Sequence, residues 1–336
     1  MDIADIILNG GQDRKENPLF KIKTANEWIK DAEGKPIPNR LFDILWHEGE
    51  LCILFADTNI GKSILAVQIA DAISRGKSND IFTVTAPKQK VLYFDFELSE
   101  KQFQNRYSIE YFNPYQFDPN FLRVEIDNEF ELLGAFEAVL VAEIEKEIQM
   151  TGAKVLIIDN ITYLKTQSTD TAKEALPLMN MLNKLKRKHG LSILALAHTP
   201  KRDHYKPISV NDLAGSKHLS NFADSIFAIG QSNKESNLRY IKQIKARATE
   251  KLYDTDYVIV CRLEKPINFL GFTYIECANE IEHLKQRTEA DKSEFEQQVI
   301  DLHTSNPNLS HRQIADQLGT NHKRVGRVLN KNNQNQ

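Results

Sequence analysis

The 336-residue chain predicts an α/β fold, with a mostly parallel central sheet, an antiparallel extension and a small all-helical domain at the C-terminus. Three observations carry this. Apolar runs at 51–56, 91–96, 155–159 and 192–197 alternate with helical stretches, the pattern of strands covered on both faces of a parallel sheet. From about 222 onward, strand-like runs at 225–230, 238–245 and 256–262 come close together, which suggests antiparallel pairing. Residues 295–331 then read as a short helical unit.

Residues 1–40 are polar and turn-rich, with Asn17-Pro18, Gly34-Lys35-Pro36 and Pro38, and read as an arm or cap. The core spans 41–278. After its first strand, Ile64, Leu65, Val67, Ile69, Ala72 and Ile73 recur at near-helical spacing, and further helices are expected over 129–150 and 171–189. The strongly charged stretch 279–294 reads as a linker or solvated helix.

Composition bounds the class. Hydrophobic residues make 41% and charged residues 26%, ordinary for a globular protein, which excludes disorder, collagen and coiled coil for the whole chain. The 43 basic and 46 acidic residues give −3, which excludes a wholly basic coat protein for nucleic acid but leaves room for a local patch. Cys52, Cys261 and Cys277 contain no C-x-x-C pair, so neither a disulfide framework nor a cysteine zinc site is expected. With no signal-peptide pattern at the start and no apolar run of ~18 residues, a cytoplasmic protein without a membrane span is expected.

The chemistry centres on Ala56-Asp57-Thr58-Asn59-Ile60-Gly61-Lys62-Ser63, set between a buried strand and an amphipathic helix. That is the context of a phosphate-binding loop, G-x-x-x-x-G-K-[ST]. The turn amides and the helix N-terminus face phosphates, Lys62 supplies charge for the β- and γ-phosphates, and Ser63 offers a hydroxyl to Mg²⁺. Ala56 replaces the first glycine, which a negative φ tolerates. The run 155–159 ends on Asp159, as a Walker B strand presents a carboxylate to the magnesium shell. No N-K-x-D motif follows, so ATP is expected rather than GTP.

The second strand, expected beside the P-loop strand, ends Asp95-Phe96-Glu97-Leu98-Ser99. A carboxylate there can polarise the attacking water. Glu97 is the preferred base over Asp95, which lies one step deeper, and the competing role for Glu97 is to cap the next helix. With these residues the chain resembles the RecA-like ATPases, and within them the RepA-type hexameric helicases, with the DnaB helicases as cousins. The resemblance covers roughly 38–275. It implies that His198 senses the γ-phosphate, and that Ala214-Gly215-Ser216 with Asn221–Asp224 shapes the sheet edge. It further implies that Lys245 and Arg247 reach a neighbouring subunit's nucleotide, in a ring of six. Loops at about 163–172 and 200–212 would then face a central channel, where Lys201, Arg202 and Lys206, with Tyr205 between them, suit single-stranded DNA.

Residues 309–330 resemble a helix-turn-helix. Ser310 is a plausible N-cap, Gly319 ends the first helix, and Val325, Val328 and Leu329 face inward from the second. Over residues 309–331, Arg312, Lys323, Arg324, Arg327 and Lys331 against Asp316 give +4, suited to the major groove of duplex DNA. The expectation is therefore a magnesium-dependent ATPase acting on DNA, a RepA-like helicase, translocase or loader of a plasmid or mobile element. The alternatives are an ATP-gated DNA-binding regulator and a RadA- or KaiC-like ATPase.

Overall fold

The computed structural model describes residues 21–125, 136–161, 172–199, 202–214, 216–247, 249–286 and 289–334. Two compact units divide the chain, residues 1–38 and 39–336. In the first, helix α1 (Ala25–Glu33) starts at a capping box made by Thr24 and Glu27. It buries none of its residues.

The second unit opens with a short ribbon, β1 (Arg40–Phe42) against β2 (Trp46–His47). Leu41, Phe42, Leu45 and Trp46 are buried, and Phe42 meets Phe82 edge-on at 4.4 Å. The core thus begins before the main sheet does. That sheet comprises β3 (Leu51–Ala56), β4 (Val91–Asp95), β5 (Phe121–Val124), β6 (Val155–Asp159), β7 (Ser192–His198), β8 (Ser225–Gln231), β9 (Leu238–Lys245), β10 (Val258–Glu264) and β11 (Gly271–Ala278). Their order is β11-β10-β9-β8-β3-β7-β6-β4-β5. The stretch from β8 to β5 is parallel, and β9, β10 and β11 extend it antiparallel. The expected architecture is present.

Alternation explains the unbroken apolar runs. Cys52, Leu54 and Ala56 face one core layer, together with helix α2 (Lys62–Arg75). Leu51, Ile53 and Phe55 face the other. There they meet Ile144 and Ile148, Leu178 to Leu185, and Leu219. These belong to the helices Phe136–Thr151, Ala172–His189 and Ser216–Phe222. With helix α3 (Glu100–Arg106) standing between β4 and β5, they are α4, α5 and α6 in chain order.

The structure corrects one expected neighbour. β4 does not pair with the P-loop strand β3; β7 and β6 stand between them. Chain order does not fix sheet order when helical crossovers carry the chain past intervening positions. The edge strands β5 and β11 are half-buried or exposed over much of their length, so neither shows as an apolar run.

The stretch 279–294 is not a linker throughout. Asn279 caps a short turn over Glu280–His283, and Glu280, His283 and Leu284 are buried against the sheet unit. Glu280 accepts from Lys242 of β9 at 2.6 Å. A charged stretch looks solvated until its partner, far away in sequence, is known.

The chain ends in helices α7 (Glu289–Ser305), α8 (His311–Gln317) and α9 (His322–Gln334). Their shared core is Val299, Ile314, Ala315, Val325, Val328 and Leu329. Ser310 and Gln313 form a capping box for α8. Gly319 adopts φ 60°, the left-handed turn residue after α8, and the Asn321 side chain accepts from Arg324 N–H at 2.9 Å to start α9. Among the described residues, no helix is long and apolar enough to cross a membrane.

Candidate functional site

The P-loop bridges β3 and α2. Ala56 is the last residue of β3 and does not have a positive φ, so its Cβ is accommodated. Asp57, Thr58, Asn59 and Ile60 make the turn, with Asn59 at φ 63°. Gly61 lies at φ 109°, and a Cβ there would stand 3.1 Å from the Phe272 ring. The backbone conformation requires glycine at this position, and a Cβ would also crowd the Phe272 ring.

The turn is held from the antiparallel extension. Buried Arg239 of β9 donates from Nε to Ile60 O at 3.0 Å and from Nη1 to Ser236 O and Leu238 O at 2.7 and 2.8 Å. Gln68 of α2 pairs with both backbone groups of Phe272 on β11, at 2.8 and 2.9 Å. Sequence reasoning missed Arg239, which lies 179 positions from Ile60 and has no local motif to mark it. Arg239→Met removes a charge-assisted bond to the loop, worth ~1.5–3 kcal/mol. The KM for ATP is expected to rise about tenfold or more, read from steady-state hydrolysis against ATP concentration.

Lys62, His198 and Glu97 meet at the carboxyl edge of the sheet, with the carbonyls of Ala56 and Asp57. Lys62 Nζ donates to Ala56 O at 3.1 Å, Asp57 O at 3.3 Å and His198 Nδ1 at 3.1 Å. Because Nδ1 accepts, Nε2 is assigned the imidazole proton. Nε2 faces Glu97 Oε1 at 3.6 Å, the same oxygen that accepts from Asn160 Nδ2 at 3.1 Å. The His198 ring, and the Asn160 amide with it, hold the Glu97 carboxyl down to about 2 against the raising effect of burial. Burial pulls the Lys62 ammonium down, while Asp159, Glu97 and Asp57 oppose that fall. Helix α3 is capped by Ser99 with Gln102, so Glu97 is not its cap. Asp95 is fully buried and turned to Arg123 at 2.9 Å.

Asp159 is buried and accepts from Tyr93 Oη at 2.6 Å. Burial pushes its carboxyl up to about 6, against the lowering effect of the Tyr93 and Ser63 hydroxyls. The donor set, one hydroxyl and one carboxylate, is the oxygen chemistry magnesium takes, and phosphate and water oxygens would complete its shell. No cluster of three or more metal-ligating side chains occurs among the described residues, so the site would depend on phosphate oxygens to complete the shell.

Other predicted residues lie elsewhere. The Arg202 side chain is only 4% exposed and points inward, with Nε 3.7 Å from Asp57 Oδ2. The expected DNA contact is corrected for this residue, because a carboxylate in the P-loop draws the guanidinium in. Lys206 is exposed and pairs with Asp203 at 2.9 Å. Lys201, Gly215 and most of 163–172 lie outside the described residues. Lys245 donates to Ser220 O and Ala223 O at 2.6 and 2.8 Å, and Arg247 pairs with Asp224 at 2.8 Å. Asp224 precedes β8 and accepts from Leu51 N–H at the start of β3, so both cations sit at the opposite edge, with roughly 17 Å of strand between them and the P-loop. Asp224 therefore organises the amino edge of β3 and β8, which lie inside the sheet and not at its border. On the C-terminal helices, Arg312, Lys323 and Arg327 are exposed, whereas Arg324 stacks on the Phe295 ring at 3.8 Å.

The AAA domain family AAA_25 matches residues 16–204, more than half of the chain, from the arm through β7. The chain belongs to this AAA-domain family. It is an AAA-type P-loop ATPase, and the family implies nucleotide binding, usually with magnesium. The supports that Arg239 and Phe272 give this ATPase lie beyond the matched span. No curated protein matches it. Among solved structures it is similar to a KaiC-like protein of the hyperthermophilic archaeon Pyrococcus horikoshii OT3, with a TM-score of 0.47 and 13% identity over 68% of this chain and 91% of that one.

Proposed function

We propose that this AAA-domain ATPase couples magnesium-dependent ATP hydrolysis to work on DNA, as a ring-forming RepA-like helicase, translocase or loader of a plasmid or mobile element. The observation that carries the hydrolytic part is the Lys62–His198–Glu97 chain of contacts at the end of the P-loop. ATP is the phosphoryl donor, and magnesium, when bound, would neutralise part of the triphosphate charge. Lys62 exchanges its bonds to Ala56 O and Asp57 O for phosphate oxygens, beside the turn amides. Ser63 and Asp159 would hold the metal. Glu97 orients water and accepts its proton, and His198 links that carboxylate to Lys62.

Ring assembly is supported by position. Lys245 and Arg247 are too far from their own P-loop to serve it, so they would complete the site of another copy. For DNA, the support is the exposed cations Arg312, Lys323 and Arg327 on a compact helical unit, read here as a helix-turn-helix domain over 295–331 that binds duplex. Single-strand contact in a channel would fall to Lys206 and Lys201.

A second reading, an ATP-gated DNA-binding regulator, is favoured by one specific observation. Arg202 is turned into the P-loop and Lys206 is paired, which weakens the channel loop as a single-strand contact. ATPase assays with and without single-stranded DNA separate the two. Strong stimulation is expected for the translocase, and none would leave the regulator. The paired variant Lys323→Ala, Arg327→Ala is expected to weaken duplex binding at every sequence and flatten the salt dependence by about two units of slope. An unchanged slope in a binding titration would remove the helix-turn-helix assignment.

A further inference from the structure

The chain just after β4 is bent by a side chain from within the strand. Asp95 Oδ1 accepts Glu97 N–H at 3.2 Å and Leu98 N–H at 3.0 Å, so one carboxylate oxygen folds the 95–98 turn. The other oxygen accepts from Arg123 Nε at 2.9 Å. The same guanidinium closes the far side of the turn, donating from Nη2 to Leu98 O at 2.6 Å. Arg123 itself is fixed three ways. It stands in register with Tyr93 on β5, its guanidinium lies 4.7 Å over the Phe103 ring, and Nη1 pairs with Glu125. On the opposite side, Phe96 N–H donates to Asp159 O at 2.9 Å. The backbone around Glu97 is therefore tied to the edge strand at one side and to the Walker B strand at the other. Its side chain projects toward Asn160 and His198.

We infer that Arg123 and Asp95 form a clamp that aims Glu97, which makes Arg123 a positioning residue for hydrolysis although it lies at the sheet edge and outside the nucleotide contacts. The inference rests on Glu97 as the base named above. It also explains why Asp95, the other carboxylate of the strand end, is not that base: both of its oxygens are occupied and its side chain is fully buried. A planar fork is needed because Arg123 serves three acceptors at once, the carboxylates of Asp95 and Glu125 and the Leu98 carbonyl. A lysine ammonium retains the charge but cannot reproduce that fixed geometry. Misplacing a reacting group by about 1 Å can cost ~10²-fold in rate.

The test uses the full chain and four proteins: wild type, Arg123→Lys, Glu97→Gln and the double variant. Turnover, affinity for a fluorescent ATP analogue and melting temperature are measured for each. Arg123→Lys is expected to lower kcat about tenfold to hundredfold with analogue affinity within about twofold of wild type, and to add no further loss in the Glu97→Gln background. Unchanged kcat in Arg123→Lys would overturn the clamp, as would kcat, affinity and melting temperature falling together. If Arg123→Lys does not fold, the neutral pair Asp95→Asn, Arg123→Gln avoids a lone buried charge and is held to the same criteria. Failure of the base itself looks different: Glu97→Gln would then hydrolyse ATP at the wild-type rate, whatever the Arg123 variants do, and the clamp inference would fall with it.

Discussion

Replacing Glu97 with glutamine is expected to lower kcat by roughly 10²–10⁴ while ATP binding is retained, because general-base assistance is worth about that much. The substitution keeps the shape of the side chain. A glutamine oxygen still accepts from Asn160 Nδ2, which donates to Glu97 Oε1 at 3.1 Å in the native protein. It still faces the proton on His198 Nε2, 3.6 Å away. What disappears is a carboxylate held ionised, with its pKa lowered to about 2 chiefly by the facing His198 ring. A carboxyl with so low a value is charged at neutral pH, so the variant loses a full negative charge close to where the triphosphate would lie. ATP affinity should be equal or tighter as a result. Single-turnover hydrolysis alongside equilibrium binding checks both statements. Wild-type turnover would move the base assignment elsewhere, whereas loss of binding would mean that Glu97 holds the loop and does not act in catalysis.

The second large effect is on stability. Lys242 and Glu280 form a buried pair at 2.6 Å, with side chains 5% and 0% exposed. Lys242 also donates to Ile208 O and Thr255 Oγ1 at 2.9 and 2.8 Å. The second Glu280 oxygen accepts Ile208 N–H at 2.6 Å. Lys242→Met leaves the carboxylate buried without its cation, and breaking such a pair costs ~3–5 kcal/mol. Replacing both, as Lys242→Met with Glu280→Leu, should recover much of that loss, since an apolar pair needs no desolvation of charge. Urea titrations of the single and double variants measure it. A loss under about 1 kcal/mol in the single variant would show that Glu280 reaches solvent and that 279–284 is not part of the folded body.

These two variants mark opposite limits of what can be read from the chain. The place of Glu97 beside the P-loop is legible because its signals are local: an apolar run ending in acids, a P-loop upstream and an aspartate-terminated run downstream. Glu280 sits in a charged stretch that reads as solvated, and its partner lies 38 positions away on β9. Arg202 fails for the same reason in reverse. A basic loop invites a nucleic-acid reading, yet its guanidinium faces Asp57. Arg123 and Arg239 carry no signal at all, because a cation on a strand looks alike whether it faces water or clamps a catalytic turn.

Read alone, the residues specify whatever depends on short spacing. They specify the P-loop between strand and helix, the acid ending the Walker B run, the capping serine and turn glycine of the C-terminal helices, and the parallel-then-antiparallel texture of the sheet. They leave open whatever depends on pairing across the chain. Among these are the place of β4 with two strands between it and β3, the edges β5 and β11, the inward turn of Arg202, and the arginines that hold the P-loop and the Glu97 turn. The physical reason is that backbone conformation and apolar periodicity act over a few residues. Strand order and ion pairing are instead settled by which distant segments bury each other's surface and satisfy each other's charge.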